Sequence, residues 1–456
     1  MLNNMTGSVM SLELRPGQIV GILIRDKIFH IVLILALARI GVVTVSCREN
    51  SLPKELGAEA AIVDIPSTFA NVNRIIRTNP EWLRGDAVII PTDPRVTSAN
   101  GHEICRLILT SGSTGSPKAV SLSHDNLLAR ADRFYYCLGD RWPNSLRLFC
   151  DVGLSTSLGF LLVFFKLMRG GLIYLYGEDG LGTLQSLDLF KIQNMITSPH
   201  NLNNYLKFFE SHPYFRFNLD HIVVAGAKFT NVLAERVWAR LCPNLINLYG
   251  ATEIGTFASA DVRTISQIPG AVGFIQPGAQ AEIVGASGNV LSFSSEGAVR
   301  VRTRQIVSGY YGDPETSALR FRDGWFYPGD LGYIKDDGML VITGRQELLL
   351  NSGGDKINPE IIEEVLKAYP GIQDAAVTTK ESSSGIEEIC ALMTTVAPVD
   401  EARLKAFCSA KLLNSFVPSY FCIVDRIPRN EMGKIDRSSL HTLVASSKSS
   451  HSQMTH

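Results

Sequence analysis

An imbalance of charge is the first thing that this sequence lacks. Its 456 residues include 43 lysines and arginines against 44 aspartates and glutamates, a formal net charge of −1. Nucleic acids and anionic membranes both attract proteins through an excess of positive charge. We therefore expect no nucleic-acid partner, and a composition that is 45% hydrophobic and 19% charged is typical of a globular protein.

Paired cysteines are also missing. The eight cysteines include no Cys-x-x-Cys pair and form no Cys/His cluster at the spacing of metal ligands. This pattern favours reduced, buried thiols over disulfides or a structural zinc site. A reducing cytoplasm is the compartment that we expect from it.

The chain has no apolar run of membrane-spanning length. The run at residues 29–38 ends at Arg39, whereas a membrane span needs about 20 apolar residues. The first residues also lack the basic stretch and apolar core of a signal peptide. The sequence predicts no membrane span here, and a buried core helix instead.

What is present is an alternation of strands and helices. A predicted strand at residues 17–24 and a helix at 29–40 begin a βαβ pattern, which is typical of parallel α/β layers. After about residue 271 short strands with Gly, Asp and Ser predict an antiparallel region. We expect an α/β fold: a large N-terminal domain (1–344) of layered α/β subdomains plus a β-barrel-like subdomain, then a small α+β domain (345–445) after a hinge. The polar tail (446–456) is predicted to be disordered.

A loop rich in glycine and hydroxyls, TSGSTGSPK, follows the predicted strand at residues 104–109. Gly112 and Gly115 let the backbone approach an anion closely, and successive N–H groups of such a turn can form a concave anion site. The loop is not a Walker A motif, because Gly115 is followed by Ser-Pro-Lys. By itself it fits both a phosphate cradle and an ordinary polar connection.

Three further motifs place chemical groups where a nucleotide would need them. NLYGATEIG, at residues 247–255, follows a predicted strand and offers Tyr249 for a flat base, Thr252 for phosphate and Glu253 for Mg²⁺. GWFYPGD offers Asp330 for ribose hydroxyls, and NEMGKIDR offers Lys434. Each motif alone also fits a turn or a solvated surface.

Taken together and in this order, TSGSTGSPK, YGATE, GWFYPGD, ITGR and GKIDR resemble the adenylate-forming superfamily of acyl-CoA synthetases, peptide-synthetase adenylation domains and luciferases. The resemblance covers roughly residues 17–440. It implies a two-domain enzyme in which a carboxylate attacks the α-phosphate of Mg·ATP and displaces pyrophosphate. A thiol, of coenzyme A or of a carrier protein's phosphopantetheine, then takes the acyl group from the adenylate.

The resemblance also implies which residues bind ATP. Those implied at the triphosphate are Thr110, Ser111, Gly112, Ser113, Thr114, Gly115 and Lys118. Those implied at adenosine are Gly226, Ala227, Tyr249, Gly250, Asp330 and Arg345. In that set Tyr249 is expected to stack on the base, and Asp330 and Arg345 to hold the ribose.

Three residues are implied in catalysis: Thr252, Glu253 and Lys434. Thr252 and Glu253 are expected to serve phosphate and Mg²⁺, with Glu253 as the metal ligand. Lys434 is expected to contact the carboxylate and α-phosphate oxygens during adenylation. The implied hinge lies just after Arg345, at Glu347, and Gly353-Gly354 are expected near the path of the thiol.

The acyl substrate and its final acceptor stay open. In LFCDVGLSTSLGF, Asp151, Ser155 or Thr156 could occupy the family's substrate-binding position, although Asp151 fits a turn better than an ammonium ligand. The stretch ending in GKIDR looks slightly more like peptide-synthetase domains, which favours a carrier-protein partner. The alternatives are an adenylating enzyme with a non-thiol product, and a degenerate nucleotide-binding protein without turnover.

Overall fold

The computed structural model describes residues 1–47, 51–69, 71–84, 100–110, 117–138, 147–175, 180–212, 219–304, 306–346, 350–352, 355–381, 387–430 and 433–446. Among these residues, no helix is both long enough and apolar enough to cross a membrane.

The first layer is a six-stranded sheet in the order β4-β3-β1-β2-β5-β6. All its pairs are parallel except β5 with β6. Its strands are β1 (Ile19–Leu23), β2 (Val43–Ser46), β3 (Ala60–Val63), β4 (Arg74–Arg77), β5 (Ile104–Thr110) and β6 (Lys118–Ser123). The helices of this part are α1 (Leu2–Met10), α2 (Lys27–Arg39) and α3 (His124–Leu138).

Helix α2 is the buried core helix that the sequence predicts. The Asp26 side chain accepts a hydrogen bond from Phe29 N at 2.8 Å and so caps the helix. Seven of its residues are buried, and strands β1, β2 and β3 are almost wholly buried. These strands therefore have the continuous Val/Ile/Ala character of a parallel sheet that is covered on both faces.

A second sheet begins with five parallel strands in the order β8-β7-β9-β10-β11. They are β7 (Arg147–Cys150), β8 (Leu172–Leu175), β9 (Asn194–Thr197), β10 (His221–Ala225) and β11 (Leu245–Ala251). The helices between them are α4 (Ser157–Met168), α5 (Gly180–Leu189), α6 (Pro199–Ser211) and α7 (Asn231–Arg240). Helix α3 packs against α4, so the two layers share a continuous apolar core.

The antiparallel strands continue this second sheet. They are β12 (Gly255–Asp261), β13 (Ala271–Ile275), β14 (Ala279–Val284), β15 (Gly297–Thr303), β16 (Phe321–Arg322), β17 (Trp325–Phe326), β18 (Asp330–Ile334) and β19 (Met339–Arg345), with short helices α8 (Val262–Ile265) and α9 (Pro314–Arg320). Strand β12 pairs with β11, and β13 joins β12 to β19. The α/β class is therefore confirmed, but the β-barrel-like expectation needs correction: the described strands form one mixed sheet that extends the parallel half and does not close.

After β19 the chain forms a small α+β unit. It contains the pair β20 (Leu350–Ser352) and β21 (Asp355–Ile357), and the sheet β22 (Ile372–Glu381), β23 (Glu387–Thr395) and β24 (Tyr420–Ile423). Its helices are α10 (Pro359–Lys367), α11 (Glu401–Ser409) and α12 (Arg437–Ser446). It has its own buried apolar clusters. The predicted boundary after residue 344 stays a prediction, and residues 447–456 of the expected tail lie outside the described residues.

A buried arginine ties the first layer to the second. The Arg106 side chain donates to Ser46 Oγ at 2.8 Å and to Leu154 O at 2.9 Å, and its guanidinium lies over the Phe160 ring. Arg106 is 1% exposed, and this burial lowers its pKa to about 10. The loop between β7 and α4 is therefore held from the first sheet by a desolvated cation.

Asp151 lies in that loop, directly after β7. Its Oδ2 accepts hydrogen bonds from Thr197 Oγ1 at 2.8 Å and Tyr205 Oη at 2.7 Å. Asp151 is 3% exposed, and burial raises its pKa to about 6 in spite of these donors. The carboxylate thus joins the ends of β7, β9 and helix α6 at a cost in desolvation.

We expect Asp151→Asn to change how stability depends on pH. The folded pKa of Asp151 lies above its ordinary value of 3.8, so folding takes up a proton between about pH 4 and pH 6. Stability is then lost as the pH rises through this window, and the amide has no such loss. The free energy of unfolding of the variant, relative to the parent, should rise by about 1–2 kcal/mol from pH 5 to pH 8 in denaturant titrations.

Asp425→Asn is the matched control, because Asp425 is exposed and follows a strand of the small domain. It should leave the difference between pH 5 and pH 8 unchanged. An Asp151→Asn curve that runs parallel to the parent would show that this carboxyl is already ionised at pH 5.

Candidate functional site

A buried carboxylate connects the ends of three strands of the mixed sheet. Asp330 begins β18 and is 3% exposed, and its register partner Arg345 ends β19. Arg345 Nε donates to Asp330 Oδ1 at 2.8 Å, while Tyr249 Oη, from β11, donates to Asp330 Oδ2. The predicted ribose and base residues are therefore in direct contact.

The ionisation states in this cluster support one another. Asp330 raises the pKa of Arg345, and burial together with the Asp330 charge raises the pKa of Tyr249 well above its ordinary value. Tyr249 consequently stays a neutral donor. A carboxylate offers about four acceptor positions, and these contacts use two of them, so Asp330 can still accept from ribose hydroxyls. The ring of Tyr249 packs edge-to-face on Phe257, with centroids 5.0 Å apart.

Backbone geometry places the predicted adenine residues beside Tyr249. Gly226 follows β10 with φ +95°, and β10 is parallel to β11 with Ala225 opposite Leu248. Gly226, its neighbour Ala227 and Tyr249 therefore lie together at the carboxyl ends of these two neighbouring strands. Gly250 sits at a bulge where a Cβ atom would lie 2.4 Å from Gly255 O, so the tight pairing of β11 with β12 needs glycine there.

Thr252 and Glu253 occupy the turn between β11 and β12. Glu253 is 9% exposed, and its Oε1 accepts a hydrogen bond from Tyr310 Oη at 2.7 Å. The carbonyls of both turn residues accept hydrogen bonds from Arg130, at 2.6 Å for Thr252 and 3.0 Å for Glu253. The turn is thus fixed by side chains that are distant in sequence.

Among the described residues, no group of three or more His, Cys, Asp or Glu side chains could form a metal cage. Mg²⁺ usually takes one or two carboxylates and completes its shell with waters and substrate phosphates. The single carboxylate of Glu253, with the hydroxyl of the preceding Thr252, offers oxygen donors of this kind.

The glycine-rich loop connects two antiparallel strands. Thr110 ends β5 and Lys118 begins β6, the two residues are register partners, and Thr110 Oγ1 donates to Lys118 O at 3.3 Å. The Lys118 ammonium lies 5.3 Å from the centre of the Tyr310 ring. Burial and then Arg320 lower the pKa of Lys118, while Asp313 and Glu253 raise it. The predicted residues Ser111, Gly112, Ser113, Thr114 and Gly115 lie outside the described residues.

Lys434 reaches this site from the small domain. Its turn is closed by Asn430 N donating to Lys434 O at 2.9 Å and by Lys434 N donating to Asn430 Oδ1 at 3.0 Å. Lys434 is accessible to solvent, yet desolvation by the surrounding protein and then Arg345 lower its pKa to about 8. Asp330 and Glu253 act in the opposite direction. The ammonium is therefore electrostatically coupled both to the Asp330–Arg345 pair and to the Thr252–Glu253 turn.

The small domain contacts the large one around this turn. A Cβ atom on Gly433, which has φ +70°, would lie 2.4 Å from His200 Cβ at the start of α6. Nearby, Lys228 Nζ lies 2.7 Å from Glu364 Oε1, and Asn358 Nδ2 donates to Thr343 O at 3.0 Å. The close approach of Gly433 is what brings Lys434 to the large domain.

Sequence reasoning missed the residues that hold the site from a distance, namely Arg130, Tyr310 and His200. Of these three, Tyr310 lies in the stretch SGYYGDPETS, which precedes the Asp330 motif in the sequence. Of the acyl-site candidates, Thr156 caps α4 by accepting from Gly159 N at 3.1 Å. Glu347, Gly353 and Gly354 lie outside the described residues.

Comparisons with known proteins agree with this arrangement. The chain is 25% identical to a 2-succinylbenzoate–CoA ligase of Listeria monocytogenes serotype 4b (strain F2365), over 96% of this chain and 92% of that protein. It is 26% identical to a medium-chain fatty-acid–CoA ligase of Escherichia coli (strain K12), over 76% of this chain and 63% of that one.

Solved structures share the fold. An o-succinylbenzoate CoA synthetase from Bacillus subtilis, in complex with its acyl-adenylate intermediate, superposes with a TM-score of 0.83 at 21% identity. That match covers 96% of this chain and 91% of the other. The amide bond synthetase McbA from Marinactinospora thermotolerans matches with a TM-score of 0.80 at 24% identity, over 97% and 93% of the two chains.

Two family models match the chain in succession. The model of the AMP-binding enzyme family matches residues 3–311, more than half of the chain, and that of the AMP-binding enzyme C-terminal domain matches residues 361–434. The order of these matches is the order of the large and small units in the structure. The resemblance that the motifs predict is thereby confirmed: the chain belongs to the AMP-binding enzyme family.

Proposed function

We propose that this protein activates a carboxylic acid with ATP, releases pyrophosphate, and transfers the acyl group from the resulting adenylate to a thiol. The observation that carries the proposal is the position of Lys434. It is contributed by the small domain, and its pKa responds to Asp330, Arg345 and Glu253 of the large domain. The groups that we propose to hold the nucleotide in one domain are thus electrostatically coupled to a lysine of the other.

The first half-reaction joins two anions, a carboxylate and a triphosphate. The carboxylate oxygen forms a bond to the α-phosphorus, and the bond from that phosphorus to the pyrophosphate oxygen breaks. Negative charge collects on the α-phosphate oxygens, and a fixed cation aimed there lowers the barrier. Lys434 supplies that cation. Mg²⁺, held by Glu253 and the phosphates, would neutralise charge on the pyrophosphate that leaves.

The other predicted residues bind the nucleotide. We assign the ribose to Asp330 and Arg345, the base to Tyr249 with Gly226, Ala227 and Gly250, and phosphate contact to Thr252. Thr110, Ser111, Gly112, Ser113, Thr114, Gly115 and Lys118 are assigned to the leaving pyrophosphate. The support for this is that Tyr249, Asp330 and Arg345 are in direct contact, and that Glu253 and the Lys118 ammonium both lie against Tyr310.

The second half-reaction transfers the acyl group to sulfur. The thiolate attacks the acyl carbon, AMP leaves, and the thioester forms. Coenzyme A is the acceptor that we propose, because relatives that this chain matches over 92% of their own length are named CoA ligases. A carrier protein's phosphopantetheine is the other candidate, favoured by the GKIDR stretch. Supplying each acceptor to the preformed adenylate distinguishes the two.

Screening carboxylic acids for ATP–pyrophosphate exchange tests the proposed function as a whole. At least one acid should support exchange, and adding coenzyme A should then release AMP and form a thioester. An absence of exchange with every acid, from a protein that still binds ATP, would favour a nucleotide-binding protein without turnover.

Lys434→Ala should strongly slow adenylation and spare the second half-reaction. Removing a cation aimed at the α-phosphate should reduce carboxylate-dependent pyrophosphate exchange on the order of 10²–10³-fold. ATP binding should stay within a few-fold, because Asp330, Arg345 and the loop remain. Thiol transfer from a synthetic acyl-adenylate should stay near the parent rate.

Lys405→Ala is the control, since Lys405 is an exposed lysine on α11 of the same small domain. It should match the parent in both half-reactions. Normal pyrophosphate exchange by Lys434→Ala would remove the lysine from the mechanism.

Gly433→Ala should reproduce part of this defect while leaving Lys434 in place. The new Cβ would meet His200 and strain a positive φ, so the turn should dock away from the large domain. A misplacement of this kind should slow adenylation on the order of 10–100-fold. Thiol transfer from the synthetic adenylate should be less affected.

Gly371→Ala separates docking from backbone strain. Gly371 has φ +93° in the same domain, but its nearest contacts are ordinary ones within the small domain, at 3.8 Å. It should lose stability without a selective loss of adenylation. Equal slowing of adenylation by both variants would mean that the contact with His200 is unimportant.

A further inference from the structure

We propose that Arg130 is a positioning residue for Mg²⁺·ATP, acting through the turn that carries Thr252 and Glu253. The inference rests on the proposed function, and it assigns a role to a helix residue that none of the recognised motifs contains. Arg130 touches neither the acid nor the thiol acceptor in this scheme. Its effect should therefore be confined to the nucleotide and its metal.

The geometry is that of a fork on two consecutive carbonyls. Arg130 lies on α3 and is 2% exposed; its Nη1 donates to Thr252 O at 2.6 Å and its Nη2 to Glu253 O at 3.0 Å. Holding both carbonyls orients the peptide plane between these two residues. The direction in which the Thr252 hydroxyl and the Glu253 carboxylate leave the backbone is fixed with it.

Holding a turn with a buried cation carries a desolvation penalty. Desolvation lowers the pKa of Arg130 to about 10, and the charge of Glu253 acts against that fall. Well-packed apolar side chains are often at least as stabilising as buried charges. A guanidinium at this position is therefore better explained by a need to orient the turn and to place positive charge near Glu253 than by a need for packing.

The same turn also accepts hydrogen bonds from a second group of residues. Tyr310 Oη donates to Glu253 Oε1 at 2.7 Å, and Val307 N donates to Glu253 O at 3.1 Å. The Lys118 ammonium lies over the ring of Tyr310. Glu253 is thus fixed at its carbonyl by Arg130 and at its carboxylate by Tyr310. Groups that orient a metal ligand in this way are commonly worth 10–100-fold in metal affinity, by general experience.

The test is an equilibrium titration of ATP, by calorimetry, with Mg²⁺ and with the metal chelated. Arg130→Met should weaken ATP binding on the order of 10–100-fold when Mg²⁺ is present. It should change metal-free binding by a few-fold at most. Thiol transfer from a synthetic acyl-adenylate, which needs no triphosphate, should stay near the parent rate. Tyr310→Phe, which removes one hydroxyl and keeps the ring, should show a smaller loss of the same kind.

Arg106→Met is the matched control. Arg106 is equally buried and its pKa is also lowered to about 10, but it donates hydrogen bonds to Thr44, Ser46 and Leu154. It should lose as much thermal stability as Arg130→Met and keep the Mg²⁺ dependence of ATP binding. A purely structural role for Arg130 predicts that the two variants behave alike, and that result would overturn the proposal.

Two further measurements keep the outcomes distinct. If Arg130→Met does not fold, Arg130→Lys and Tyr310→Phe decide the question, because an unchanged Mg²⁺ dependence in both would overturn it. The parent's pyrophosphate exchange is measured separately. Its absence would overturn the proposed function, whereas the binding titration decides the role of Arg130 without turnover.

Discussion

The desolvated carboxylate of Asp330 is the constraint around which this site is organised. It begins β18, and it is held by a tyrosine from β11 and by an arginine from the neighbouring strand β19. A buried carboxylate needs such partners, because an unpaired charge there would cost several kcal/mol. The pairing of parallel and antiparallel strands in one continuous sheet is what brings these partners together. The residues that we propose for the base and the ribose, Tyr249, Asp330 and Arg345, are in contact there.

Positive charge in the site comes from several separate elements. Lys118 starts a strand of the first layer, Arg130 lies on a buried helix, Arg345 ends the mixed sheet and Lys434 comes from the small domain. Each has a pKa altered by its surroundings, and only Arg345 has its pKa raised, by contact with Asp330. Arg130 binds the backbone of the Thr252–Glu253 turn, so a triphosphate bound as proposed would meet Lys118 and Lys434, whose attraction for it is strengthened by their partial desolvation.

Local motifs carried most of what could be predicted from the sequence. Tyr249, Thr252 and Glu253 fall within five residues, and Asp330 and Lys434 each follow a glycine, so short patterns were enough to propose them. Arg130 and Tyr310 escaped because their partner Glu253 is 123 and 57 residues away, and no spacing rule links such positions. The barrel-like expectation failed for a similar reason: alternating short strands reveal hairpins, whereas the joining of β13 to β12 and β19 is a long-range choice.

The pairing of Asp330 with Arg345 has a mechanical consequence. The sheet holds the chain one residue further, since Gln346 N donates to Gly329 O at 2.8 Å. A rotation of the small domain about torsions beyond Gln346 would have its pivot next to the proposed ribose site. Atoms near the pivot would move least, whereas Lys434 would move a long way. In the proposed reaction, the nucleoside end of the adenylate would then stay bound near the pivot while Lys434 moves away. One intermediate could thereby be presented to two different chemistries without being released.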